Sequence, residues 1–163
     1  MDNRILLQAA IIGGLVSALT DVVPLLNLVN CFCCVGIALG GTVAVFYLRS
    51  QGVVKFFSLP ELILIGLYTG IAGAFIDFAL QFMAFQMLGN WQIEWIRNVM
   101  EGMEEIPPMW QDIYEQLQSP EMDVFAGTAV LVRALLIFPI FTFIGTVVGN
   151  QLWQKKQGNR ING

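Results

Sequence analysis

Histidine is absent from this chain, charged residues make up only 12 per cent of it, and its three cysteines fall within four consecutive positions. Each shortage removes a class of function. Without histidine the commonest general base and metal ligand is missing, and no G-x-x-x-x-G-K phosphate loop occurs. Asp21 and Asp77 are carboxylates inside apolar segments, but no supporting residues mark them as a catalytic pair. Three thiols and no imidazole cannot complete the shell of about four ligands that structural zinc takes, although two copies of the chain could pool their thiols. The sequence therefore predicts no enzyme activity, no cofactor and no metal, and nothing in it calls for a nucleic-acid partner. Soluble domains carry about a quarter charged residues. With 56 per cent hydrophobic residues, this chain is expected in a lipid bilayer.

At about 20 apolar residues per crossing, the 163 residues suit four helices and some extramembrane chain. The apolar stretches are 5–23, 25–48, 61–88 and 124–152, expected as four transmembrane helices of one membrane domain spanning 1–163. The first follows Met1-Asp-Asn-Arg4 too closely for a developed basic leader, so it is expected to stay as an anchor. Ser58-Leu-Pro-Glu61 has capping-box spacing, and Ser119-Pro-Glu121 places a cap, a first-turn proline and an acid before the fourth helix.

With four crossings, Arg4, Arg49, Lys55, Lys155, Lys156 and Arg160 share one side and only Arg97 lies in a loop on the other. The positive-inside rule then puts both termini in the cytoplasm of a cell-membrane protein. The loop 89–123 is acidic and extracytoplasmic. Its Trp91, Trp95, Ile96, Val99, Met100 and Met103, then Trp110, Ile113, Tyr114 and Leu117 after Pro107-Pro108, predict two short amphipathic helices that cover the bundle or meet a membrane-protein partner. Glu101, Glu104 and Glu105 lack the spacing of a calcium loop.

Gly14-Leu-Val-Ser-Ala-Leu-Thr-Asp21 and Gly70-Ile-Ala-Gly-Ala-Phe-Ile-Asp77 share glycine, alanine and aspartate at one spacing, and Gly41-Thr-Val-Ala is matched by Gly145-Thr-Val-Val. The order suggests two repeated helical hairpins in parallel, the acidic insertion lying inside the second. Gly66, Gly70 and Gly73 step by four and three towards Asp77; Gly36 and Gly40 step by four, as do Gly145 and Gly149. With Gly14, these are expected helix-packing positions, since small residues let backbones approach; a glycine-lined path or a homo-oligomer interface is the other reading. Asp21, Asp77 and Arg133 form the expected intramembrane charge cluster. Their axial heights allow all three into the outer half of the bilayer, and an Asp77–Arg133 pair with Asp21 nearby is the predicted arrangement.

The run "NLVNCFCCVG" is expected as a turn entering the second helix, with Pro24, Asn27 and Asn30 making the turn and Cys31, Cys33 and Cys34 acting as small polarizable residues. A disulfide, lipidation or shared metal binding are the alternatives. The glycine-rich first helix, the proline turn, "NLVNCFCC", "GIALGGTVAVFYLR", the glycine-spaced third helix and the "PP" acidic stretch together resemble a group of small four-helix bacterial and archaeal integral membrane proteins of unknown function. The likeness covers most of the chain and departs from the pattern at Leu59-Pro-Glu61, where a glycine-led start is usual. It supplies a fold and no activity. The expected function is that of a non-enzymatic scaffold or accessory subunit of a membrane assembly; the alternative is a small oligomeric transporter or channel using Asp77 and Arg133.

Overall fold

The computed structural model describes residues 3–23, 26, 27, 30, 34–52, 57–88 and 120–161, with side chains to 84 in the third helix and from 127 to 155 in the last. Among the described residues the chain is all-helical: α1 Asn3–Val22, α2 Val35–Ser50, α3 Leu59–Leu88 and α4 Pro120–Ile161, with no strand. Three of these are long and apolar enough to cross a membrane, within Asn3–Val22, Leu59–Ala84 and Gly127–Lys155; α2 is a shorter apolar helix. Cys31, Cys33 and the two helices expected between 89 and 119 lie outside the described residues.

The second helix begins later than the hydrophobicity suggests. A helix from Leu25 was expected, but Cys34 stands immediately before α2 in the left-handed conformation, at φ 53° and ψ 34°. Left-handed backbone costs a non-glycine residue roughly 1 kcal/mol and cannot continue a right-handed helix, so the apolar run is cut there. The Cys34 N–H still donates to the Asn30 carbonyl at 2.9 Å, and the Cys34 carbonyl accepts from Ala38 at 3.1 Å, so the break is a joint between two turns. At its other end α2 stops at Gly52, whose φ of +83° suits glycine and whose N–H returns to the Arg49 carbonyl at 3.2 Å, as at many helix C-termini. The start of α3 is fixed by Glu61, whose Oε2 accepts from the Ser58 backbone N–H at 2.8 Å and from the Ser58 hydroxyl at 2.9 Å.

The four helices stand in a ring in which α1 packs on α2 and α3, and α4 packs on α2 and α3; α2 and α3 face each other across the diagonal. Leu6, Ala9, Ala44, Val45, Leu48, Phe57, Leu62 and Ile65 fill one end, and Ala18, Ile37, Ala74, Ala134 and Phe138 fill the other. Outward, Leu7, Ile11, Leu15, Leu67, Phe75, Leu136, Ile140 and Val148 are all exposed. An apolar outside around a small-residue inside is the arrangement that lipid, not water, stabilises.

Burial along residues 5–23, α1 and the residue after it, repeats position for position along 61–79 of α3. Leu6, Ala9, Ala10, Gly13, Gly14, Ser17, Ala18 and Asp21 are buried in one, and Leu62, Ile65, Gly66, Thr69, Gly70, Gly73, Ala74 and Asp77 in the other. In α2 with its C-cap, and in α4, the corresponding stretches are 37–51 and 138–152: Ile37, Gly41, Ala44, Val45, Leu48 and Arg49 match buried Phe138, Thr142, Gly145, Thr146, Gly149 and Asn150, while buried Gly40 falls opposite half-buried Phe141. This register differs by three residues from the likeness of Gly41-Thr-Val-Ala to Gly145-Thr-Val-Val. Three residues are nearly one turn of helix, so either register brings a small residue round to much the same face, and the letters alone do not separate them.

Candidate functional site

Two polar groups sit at opposite ends of the bundle, joined by a seam where helix backbones touch. Along the seam, a Cβ placed on Gly40 would collide with the Ser17 hydroxyl and the Gly13 carbonyl, on Gly41 with the Thr142 carbonyl, and on Gly145 with the Ala38 carbonyl. At Gly14 it would lie 2.7 Å from the Gly73 nitrogen, at Gly66 2.6 Å from Phe143 Cα, and at Gly70 2.5 Å from the Pro139 nitrogen. Gly36 leaves room for the Asn30 amide oxygen, Gly73 for the Phe138 ring and Gly149 for Thr42. Gly13 and Gly41 are close-approach positions that the spacing argument passed over; each directly precedes or follows another glycine, which hides it from a search by steps of three and four.

Where backbones come this close, side-chain hydroxyls reach across to carbonyls. Ser17 donates to Ile37 O of α2 at 2.9 Å, and Thr42 of α2 donates to Gly145 O of α4 at 2.9 Å. Thr142 Oγ1 lies 2.8 Å from Gly66 O and 2.7 Å from Phe138 O, and Thr146 Oγ1 lies 3.1 Å from Leu62 O and 2.7 Å from Phe143 O. Each hydroxyl hydrogen serves one carbonyl at a time. These bonds link three of the four neighbouring pairs of helices round the ring, and in membranes each is worth about 0.6 to 2 kcal/mol.

At the α1 C-terminal end lies the charge cluster. Arg133 donates from an NH2 nitrogen to Asp21 Oδ2 at 3.2 Å, the aspartate side chain 3 per cent exposed and the arginine 55 per cent. Asn30 Nδ2 donates to Asp21 Oδ1 at 3.0 Å and lies 3.2 Å from the Thr20 carbonyl. Asp77 is 1 per cent exposed; its Oδ2 accepts from Gln81 Nε2 at 2.8 Å, and it stands close enough to Asp21 and Arg133 for both charges to act on it. The three residues are thus brought together, but the arginine is bonded to Asp21 rather than to Asp77 as expected. Axial height places both aspartates near Arg133; rotation about each helix axis selects between them, and a sequence carries no measure of it.

The opposite end holds Arg49, one of the basic residues expected on the cytoplasmic side, which is 5 per cent exposed. Its guanidinium donates to Asn150 Oδ1 at 3.0 Å, and its Cζ lies 4.6 Å from the centre of the Phe57 ring, within cation–π range. Phe46 and Trp153 meet beside α2 and α4 with ring centres 5.8 Å apart. Among the described residues no group of three or more acidic or thiol side chains is placed to hold a metal ion. Compared with known protein families, characterised proteins and solved structures, the chain matches none of them.

Proposed function

We propose that this chain is a non-enzymatic, multi-pass cell-membrane protein serving as a scaffold or accessory subunit of a larger membrane assembly. It crosses the bilayer four times with both termini in the cytoplasm, as two copies of one helical hairpin in parallel. The resemblance to small four-helix bacterial and archaeal membrane proteins agrees with this architecture. Support for the hairpins comes from the matching burial of 5–23 with 61–79 and of 37–51 with 138–152. It also comes from the meeting of equivalent positions: Gly13 faces Thr69, Gly41 faces Thr142 and Arg49 bonds Asn150, as a two-fold axis parallel to the helices requires.

Support for a fourth crossing comes from α2 running the length of α1. Gly36 lies beside Thr20 at one end, and Leu48 shares a cluster with Leu6 at the other. Its 16 residues rise about 24 Å, short of a hydrocarbon layer of about 30 Å, a mismatch that local thinning accommodates. Small residues then hold the bundle shut by close packing.

The observation that carries the functional reading is the seam itself: contacts through Gly13, Gly40, Gly41, Gly66, Gly70 and Gly145 bring helix against helix at backbone distance. Such a unit is a rigid body with an apolar outside, suited to holding other membrane proteins, through its lipid-facing flanks or the acidic, aromatic insertion 89–123. Purification of the tagged full chain from its native membrane in mild detergent, with the mass of the intact complex, tests this. A partner retained in fixed stoichiometry is the expected result. A homo-oligomer without partners that carries ions across liposomes contradicts it and favours a transporter or channel.

A further inference from the structure

Among the described residues, Asp77 has more negative charge around it than its neighbours balance. The helices packed about it contribute Asp21 from α1 and Arg133 from α4, and Cys34, just before α2, packs against the cluster of Ala18, Ala74 and Phe138 at the same end of the bundle. Arg49 is at the far end of the bundle, bonded to Asn150. Among the described residues, two carboxylates therefore stand near one guanidinium, and that guanidinium is bonded to Asp21. Gln81 supplies one amide hydrogen bond to Asp77 Oδ2. Asp77 Oδ1 is buried with no hydrogen-bond partner among the described residues, and so is the amide oxygen Oδ1 of Asn30, a residue 8 per cent exposed that is tied to the same cluster through Asp21. Buried acceptors of this kind normally find a donor or a cation.

We propose that Asp77 is the anionic ligand of a small-cation site in the outer half of the membrane, taking a proton or a monovalent alkali ion. A divalent ion is disfavoured because no third acidic or thiol ligand joins the pair among the described residues. The site holds whether the protein scaffolds an assembly or moves ions.

The test is the thermal unfolding midpoint of the full chain in mild detergent, measured in sodium, potassium, lithium or choline chloride at equal ionic strength, and in choline chloride from about pH 8 to pH 5. A site filled by an alkali ion gives a saturable rise of about 5 °C with one of the three alkali salts over choline. A site filled by a proton gives the rise on acidification in choline and none with salt. Either response is expected to vanish in Asp77→Asn, which starts at or above the ion-free wild-type midpoint, and to persist in Glu61→Gln at the opposite end of α3. Infrared difference spectra of the unmutated chain give a second readout: a carboxylic acid carbonyl band that grows on acidification in choline, or carboxylate bands perturbed by the bound alkali ion. A midpoint indifferent to all four salts and to pH, infrared spectra without either signal, or a response unchanged in Asp77→Asn, overturns the proposal.

Discussion

Gly41→Leu and Gly145→Leu are each expected to abolish the folded bundle, whereas Gly127→Leu leaves it intact. A Cβ at Gly41 falls on the Thr142 carbonyl and one at Gly145 falls on the Ala38 carbonyl, while one at Gly127 meets nothing within 4 Å. Overpacking usually costs about 1 to 3 kcal/mol because side chains shift aside. Backbone carbonyls of a hydrogen-bonded helix cannot shift separately, so α2 and α4 must part along their length, and the cost is expected at about 3 kcal/mol or more. Separation also stretches the bond from Thr42 to the Gly145 carbonyl. The fraction of monodisperse protein on size exclusion in mild detergent reads the outcome. Wild-type behaviour in either seam variant would mean that α2 and α4 do not meet as described.

The second large effect is expected from the charge pair. Arg133→Ala leaves Asp21, with its side chain 3 per cent exposed, holding a charge answered among the described residues by the Asn30 amide. Breaking a buried pair costs about 3 to 5 kcal/mol; the half-exposed arginine lowers this to about 2 to 3 kcal/mol, since its side is screened. Adding Asp21→Asn removes the stranded charge and keeps an oxygen for Asn30, so the double variant is expected to recover at least half of the loss in folded yield. Adding Asp77→Asn instead is expected to recover less. Equal recovery from the two aspartates would show that Arg133 is shared between them.

Much of this architecture is legible in the sequence because a bilayer makes length and hydrophobicity decisive. Residues 5–23 and 61–88 were expected as helices and lie within α1 and α3 to within two residues. The late start of α2 was hidden because Leu25 to Cys34 is nearly as apolar as the helix that follows; hydropathy measures transfer into lipid and is silent about the backbone angle at Cys34. The burial of Arg49 was hidden for a related reason. Its position in the chain reads as a helix end facing water, and only the arrival of Asn150 and Phe57 from other elements buries it. The hydroxyls of Ser17, Thr142 and Thr146 carry no sequence signal as crosslinks, since their value depends on a carbonyl of another helix lying opposite.

Four crossings with both termini inside is the claim on which the rest stands, because α2 is the shortest of the helices and the closest to failing it. Thiol labelling with an impermeant reagent tests it most directly. In a background with Cys31, Cys33 and Cys34 replaced by serine, single cysteines are placed at Gln51, Glu101 and Gln154, and intact cells are compared with permeabilised ones. Position 101 is expected to label in intact cells, and positions 51 and 154 only after permeabilisation. Labelling of position 51 from outside, with position 101 protected, would mean that α2 does not cross and would contradict the account.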